Sequence, residues 1–561
     1  MARLLDRRVL LGALCALVAI VLSARELWSE SYVYTHGDSP RYMMNALFIL
    51  DVLRDWPFDS LSTFREYATL YYARYPALSL GHHPPLTSVL EVPFFAVMGV
   101  SVTATRLPQI LSLVVGVVFL YRLVTELSDE WAGAVAGLAM AASPGLIELT
   151  QGVMSEPPAV ALTVVAAFYL HRFCVTQQRG ALVLFTAATI LSVWAKQNTI
   201  VALPAFALYG LVHLGWRRIV RADVLAAAMA IAVLAGSMVA VTAAISTVNV
   251  RRSTFLVRAA AGNAPIADGE GRMRLVRTTG RVIAATPEKV AYQMTTAAAV
   301  VGLLGLVVMV VQRRREAWLF VPWVITTFAF ILIVTRLQEI WRYGIYWIPP
   351  LAASAGMLCA DGRWRRPALG VMAAVLAGQV VAASGVRVKG MGGYEDAARF
   401  VVEHPKGSTV MFSGDIDSGY FMFFVRKHDP DRRQVVLRSD KIFTVSNMRQ
   451  IAVANRIESP DEIGPTLRRL GVGYVVIEDR KSDSAVQEWL RTELRTGPYV
   501  ERQRIRIETT DFRLEHTDLV VYEPTNLTAP APDARLDLRL PIVSQQLDVP
   551  LADLLSRKHL N

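Results

Sequence analysis

Residues 82–100 read His-His-Pro-Pro-Leu-Thr-Ser-Val-Leu-Glu-Val-Pro-Phe-Phe-Ala-Val-Met-Gly-Val. Whether this stretch crosses a bilayer decides the orientation of everything after it. It is apolar but short, and it carries Glu91 and Pro93. A spanning helix needs about 20 apolar residues, and a carboxylate within the hydrocarbon is costly. Around it lie further apolar runs, at about 9–27, 105–125, 131–149, 157–172, 180–195, 199–215, 223–247, 293–311, 317–335, 344–359 and 368–385. Lys and Arg are retained in cytoplasmic loops. The strongest basic loops are Arg217, Arg218 and Arg221; Arg313 to Arg315; and Arg363, Arg365 and Arg366. If all twelve runs cross, these three loops fall on the opposite side from the N-terminal Arg3, Arg7 and Arg8. If 86–100 lies in the outer leaflet, all share one side. The expectation is therefore eleven transmembrane helices, a cytoplasmic N-terminus and an extracytoplasmic C-terminal domain.

The composition agrees. Of 561 residues, 53% are hydrophobic and 19% charged, with a net charge of +11. The hydrophobicity belongs to residues 1–385, whereas 386–561 read as a soluble α/β chain. This excludes a purely soluble enzyme, a single-anchor receptor and a disordered scaffold. The basic clusters sit in short loops between apolar runs, a topology signal and not a nucleic-acid footprint. Cys15, Cys174 and Cys359 lie in or beside apolar runs and imply no disulfide framework. Met1–Ser23 has the basic start and apolar stretch of a signal peptide, but the many following spans make it an uncleaved first helix.

Two domains are expected: a transmembrane domain over 1–385 and an extracytoplasmic α/β domain over 386–561. In the latter, periodicity predicts helices at 394–403 and 463–470, and strands at 409–412, 435–437, 474–477, 504–507 and 519–522. Ser413-Gly414-Asp415 after a strand reads as a turn or a ligand contact. Residues 524–561 read as peripheral, with a glycosylation sequon at Asn526-Leu527-Thr528.

Polar residues at span ends are functional candidates. Asp38, in Thr35-His36-Gly37-Asp38-Ser39-Pro40-Arg41-Tyr42, is either a base or a helix N-cap. Glu156, in Ser155-Glu156-Pro157-Pro158, is a second carboxylate on the same face or a plain helix start. His82 and His83 are metal ligands, phosphate contacts or a solvated turn. Lys196 either snorkels or binds phosphate as a point charge. Arg342 and Tyr343 open a span, as anion ligands or as an interfacial belt. The segment 248–292 is outward-facing yet rich in arginine, which fits an anionic partner. No closed metal-ligand spacing is visible, so a divalent metal at Asp38, Glu156 and His82 stays open and no cofactor is assigned. No nucleotide-binding motif is present.

The order of these elements resembles the GT-C glycosyltransferases, in particular the protein O-mannosyltransferase-like and aminoarabinose-lipid A-transferase-like group. The matching pieces are Asp38 with Arg41-Tyr42, Gly81-His82-His83-Pro84-Pro85-Leu86, Arg106, Ser143-Pro144, Ser155-Glu156-Pro157, Ala195-Lys196 with Pro204, and Arg342-Tyr343 with Pro349. The resemblance covers most of residues 9–385. It implies juxtamembrane helices in the first outward loop and an inverting sugar transfer from a polyprenyl-phosphate donor at the extracytoplasmic face. The acceptor is a lipid, glycan or protein hydroxyl, and the setting is a bacterial inner membrane. It implies Asp38 as base, Glu156 as the second acidic residue, and Lys196, Arg342, His83, His82, Arg41 and Tyr343 around the lipid phosphate or sugar. The His-His pair departs from relatives that place an acidic residue and a lysine there. The 248–292 segment lacks the histidine of one relative's metal site. A transporter or flippase of lipid-linked sugars, and a sensor or assembly protein with a binding outer domain, are the alternative readings.

Overall fold

The computed structural model describes residues 7–35, 37–79, 83–245, 283–334, 341–360, 365–414, 418–447, 452–482, 484–539 and 546–556. Among these, six helices are long and apolar enough to cross a bilayer: Arg7–Glu26, Val102–Leu127, Glu156–Thr176, Gln197–Leu214, Ala222–Thr242 and Arg365–Ser384. Two bent pairs raise the number to eight. Glu130–Ala141 meets Pro144–Gln151 at 51°, and Ile283–Met294 meets Thr296–Val311 at 107°. Length and composition thus support six to eight of the eleven expected spans. The others correspond to shorter apolar helices, Arg179–Ala195, Ala317–Leu332 and Ile348–Leu358, the last entered through a 3-10 turn at Trp341–Trp347. At Ser143-Pro144 the break has a local cause, because proline lacks the N–H that would continue the ladder.

Close backbone approach holds the bundle. A Cβ at Gly305 would collide with the Ser354 carbonyl, and one at Gly116 would lie 3.0 Å from Ala161 Cα. Such small-residue contacts suit a lipid medium, where packing replaces the hydrophobic drive between helices.

The helix Leu86–Met98 has 13 residues, roughly 20 Å of length against a hydrocarbon core of about 30 Å. Glu91 is fully buried in it. It packs on Ser39–Asp55 and Val102–Leu127, so it is a packed helix of the first loop, below spanning length. That loop also holds the helix Leu61–Arg74, started by the Ser60 side chain accepting from Thr63 N–H. Val33–Tyr34 in the same loop pairs antiparallel with Gly390–Met391. Arg106 staples the approach to the loop by donating to the carbonyls of Glu26, Ser29 and Tyr32.

The C-terminal domain is built on a five-stranded sheet. Its order is Val435–Arg438, Thr409–Ser413, Val472–Glu478, Asp518–Pro524, Tyr499–Arg506. The first three strands are parallel and the last two antiparallel. The helices Tyr394–Glu403 and Ile463–Arg469 lie at the expected positions. Ser413 ends its strand and is buried, while a Cβ at Gly414 would strike the Glu478 carboxylate; Asp415 lies outside the described residues. The helix Ser418–His428 has every residue from Tyr420 to Val425 fully buried.

One apolar core joins the first loop to this domain, with Phe48, Tyr71 and Phe95 packed among Tyr394, Phe421 and Phe423. Ion pairs cross the same seam. Arg426 reaches both oxygens of Asp51, at 2.6 and 3.0 Å, and Arg432 reaches Asp55 at 2.5 Å. The expectation that 524–561 is peripheral is corrected. Arg535–Arg539 pairs with Gln546–Pro550, and Leu536, Leu538, Leu551 and Leu554 are buried in the domain core. The alternation of Leu536 and Leu538 faces one side of a strand inward, and Arg74 of the first loop donates to the Leu554 carbonyl.

Candidate functional site

Asp38 stands at the N-cap position of Ser39–Asp55, but its side chain makes no capping bond. The carboxylate turns instead to two guanidinium groups and an imidazole. Its Oδ2 accepts from Arg342 Nη2 at 2.7 Å, while its Oδ1 lies 3.5 Å from His83 Nε2 and 3.7 Å from Arg41 Nη1. Of the two sequence readings, capping is thus not what the side chain does.

Glu156 begins the helix Glu156–Thr176, where Pro157 and Pro158 fit because first-turn N–H groups need no partner. It is fully buried. Its Oε1 accepts from Lys196 Nζ and lies 3.8 Å from Arg342 Nε. Lys196 sits at the break between Arg179–Ala195 and the 3-10 turn Gln197–Ala202. It is 7% exposed, so it turns inward to Glu156 and does not snorkel. The Tyr343 ring faces both cations, 5.8 Å from Lys196 Nζ and 5.5 Å from the Arg342 guanidinium. The Tyr42 and Ser155 hydroxyls, 2.9 Å apart, tie the two acidic segments together, and His83 Nδ1 lies 3.4 Å from Tyr42 OH.

The structure therefore brings Asp38, Arg41, His83, Glu156, Lys196, Arg342 and Tyr343 into one cluster. His82 lies outside the described residues, as do Arg336 and most of 248–292. Among the described residues, the carboxylates of Asp38 and Glu156 are paired with Arg41, Lys196 and Arg342. Buried ions are stable only when paired and hydrogen-bonded. Yet Nε and Nη1 of Arg342 and Oε2 of Glu156 are buried without a hydrogen-bond partner.

Of the three metal candidates, His82 lies outside the described residues. Asp38 and Glu156 are each held by a cation, and among the described residues no cluster of three His, Cys, Asp or Glu side chains forms a metal site.

One buried carboxylate outside this cluster escaped the sequence reading. Glu148, buried near the end of Pro144–Gln151, accepts from Tyr34 OH at 3.3 Å and from the Tyr292 hydroxyl. The signal was present, since Glu148 interrupts the apolar run 131–149, and a carboxylate there is a functional candidate by the same rule applied to Glu156.

The backbone carrying this cluster matches solved structures over nearly its whole length. ArnT from Cupriavidus metallidurans bound to undecaprenyl phosphate superimposes with a TM-score of 0.57 at 14% identity, covering 93% of this chain and 99% of that one. The chain has the GT-C fold. The Archaeoglobus fulgidus oligosaccharyltransferase AglB, in complex with an inhibitory peptide and a dolichol-phosphate, matches with a TM-score of 0.52 at 13% identity, over 84% of this chain and 69% of that one. Residues 82–241 match the family model described as dolichyl-phosphate-mannose-protein mannosyltransferase. That segment contains His83, Glu156 and Lys196, while Asp38 and Arg342 lie beyond it. Comparison with curated protein sequences returns no match. The GT-C resemblance read from the motifs thus agrees with both fold and family model, and the packed first-loop helices are those it implied.

Proposed function

We propose that this GT-C membrane protein is a glycosyltransferase that moves a sugar from a polyprenyl-phosphate donor to an acceptor hydroxyl, with inversion, at the extracytoplasmic face of a bacterial plasma membrane. The observation that carries the reading is the buried Lys196–Glu156–Arg342–Asp38 chain, in which Nε and Nη1 of Arg342 have no acceptor among the described residues. The phosphodiester of a polyprenyl-phosphate sugar supplies acceptor oxygens for those N–H groups, the monoester released by transfer supplies them too, and arginine is suited to forked phosphate contacts. The lipids bound in the two solved relatives, undecaprenyl phosphate and a dolichol-phosphate, carry such a phosphate group.

The chemistry follows from the pairings. Donor phosphate drawn to Arg342 and Lys196 competes with Asp38 for Arg342. Released from that bond, Asp38 takes the proton of the acceptor hydroxyl. The acceptor oxygen bonds to the anomeric carbon as the bond to the phosphate oxygen breaks, and the phosphate leaves with the electron pair. Lys196 and Arg342 offset the charge that develops there, and Glu156 keeps both cations in place. Asp38→Asn tests this reading. Transfer from a polyprenyl-phosphate sugar should fall about 10²–10⁴-fold, with membrane insertion and unfolding temperature close to the parent. Near-normal transfer by this variant would remove Asp38 as base.

A further inference from the structure

A cleft of about 670 Å³ lies where the membrane domain meets the C-terminal domain, and it shares no residue with the cluster around Asp38. Two spans end at its rim. Arg25 and Glu26 close the span Arg7–Glu26, and Arg387 follows the span Arg365–Ser384. Arg25 donates to the Ser384 carbonyl, which fastens the two helix ends together. The opposite wall belongs to the C-terminal domain, with Arg506 at the end of the strand Tyr499–Arg506 and Glu508 two residues on. Glycine lets the walls approach. Gly393 also lines the cleft with φ +90°, and a Cβ there would lie 3.1 Å from the Arg506 carbonyl oxygen.

The cleft gathers charges without pairing them. Arg25, Arg387 and Arg506 line this one cavity, yet among the described residues no carboxylate lies within 4 Å of their guanidinium nitrogens. Glu26 and Glu508 stand in the same lining with no cation within 4 Å among the described residues, whereas Asp396 is taken by Arg399. Unpaired charges are ordinary on a wetted surface. Here they sit at the mouth of two spans that turn most of their length to lipid. Val21, about one turn before Arg25, and Val381, about one turn before Ser384, are both exposed. Trp28, just past the first span, is exposed as well, as suits an aromatic ring at the level of lipid headgroups.

A molecule reaching this cleft from the bilayer meets an apolar track below and charges of both signs above. An anionic lipid would answer the guanidinium groups alone and leave Glu26 and Glu508 facing its charge. A headgroup that carries both a phosphodiester and an ammonium answers both. We propose that the cleft is a binding site for an aminophospholipid of the adjoining leaflet, with its phosphodiester on Arg387 and Arg506, its ammonium toward Glu508 and its acyl chains along Val21 and Val381. The lipid would brace a joint of the fold. Tyr32, also in the lining, has its hydroxyl 2.9 Å from Thr510 Oγ1, and that oxygen accepts from Gly390 N–H at 3.0 Å. These residues flank the pairing of Val33–Tyr34 with Gly390–Met391 that ties the first loop to the C-terminal domain.

The test reads lipid binding and needs no sugar transfer. Full-length protein, delipidated in detergent, is titrated with dioleoyl phosphatidylethanolamine or dioleoyl phosphatidylglycerol, and bound lipids are counted by native mass spectrometry. One phosphatidylethanolamine should bind on the order of tenfold more tightly than phosphatidylglycerol, the worth of one hydrogen bond to a charged group. Arg387→Gln combined with Arg506→Gln should weaken phosphatidylethanolamine about tenfold or more. Both side chains are exposed and in no ion pair, so this double variant should keep the parent's unfolding midpoint in lipid-free detergent. Glu508→Gln should bring the two lipids level by weakening phosphatidylethanolamine alone. Equal binding of the two lipids by the parent protein overturns the aminophospholipid assignment. Phosphatidylethanolamine binding undiminished in the double variant overturns the site. A loss of undecaprenyl phosphate binding in the double variant equal to its loss of phosphatidylethanolamine would give the cleft to the donor and overturn the proposal as well.

Discussion

At the scale of single residues, the site is a chain of charges in which each group holds the next. Glu156 is the least replaceable link, since it is fully buried and neutralises Lys196. Removing one partner of a buried pair costs about 3–5 kcal/mol, because the other charge stays buried and unpaired. Glu156→Gln should therefore lower the thermal unfolding midpoint sharply in detergent. Glu156→Gln combined with Lys196→Met removes both charges and should recover most of that loss, while sugar transfer remains abolished. A double variant as unstable as the single one would mean that Glu156 is held by something other than Lys196. The residue types of this chain were legible in the sequence, because polar groups at span ends are rare and costly. Their pairing was not. Asp38 and Arg342 are 304 positions apart, and local spacing says nothing about which span end meets which.

At the scale of elements, Arg106 shows how one side chain sets a loop. Its guanidinium binds three carbonyls between Glu26 and Tyr32, just ahead of Asp38. Arg106→Ala leaves those carbonyls without their donors and should cost on the order of 3 kcal/mol, read as a lower unfolding midpoint. Transfer should fall with it, since the loop carries Asp38, the proposed base. An unchanged midpoint would show that the loop is held elsewhere. Which elements could be foreseen follows from their pattern. Tyr394–Glu403 has one apolar face and was readable, as were the buried strands around Val475 and Val521. Ser418–His428 was not, because Tyr420 to Val425 are buried on every side and show no helical period. The tail after Pro524 was misread for a related reason, since its short apolar stretches gain a core only from residues far away in the chain.

At the scale of the whole molecule, the C-terminal domain is anchored by groups whose ionisation is readable. Glu395 accepts from Lys427 at 2.7 Å and lies 3.1 Å from His428 Nε2. Burial works against its charged form, but the bonds from His428 and Lys427 prevail and hold it at about 2. The Arg513 guanidinium likewise holds Asp511 at about 2. Both folded values lie below the ordinary carboxylate range, so the unfolded chain binds more protons in between. Their contribution is complete above about pH 4.5 and is lost as the pH falls toward 2. The unfolding midpoint should drop over that window, and Glu395→Gln should flatten the drop while lowering the midpoint at pH 7. A parallel profile in the variant would remove Glu395 as a source.

The core shared by Phe48, Tyr71 and Phe421 has a consequence for how the chain is made. Val33–Tyr34 must wait for its partner strand Gly390–Met391, an interval of roughly 20–70 s at ordinary translation rates. Through that time the first loop is already outside the ribosome with its apolar face uncovered. The membrane half is thus born before its own lid, and it cannot mature until the last third of the polypeptide arrives. Ribosome stalling near residue 390 should accordingly leave an inserted but protease-sensitive first loop, and release of the full chain should protect it.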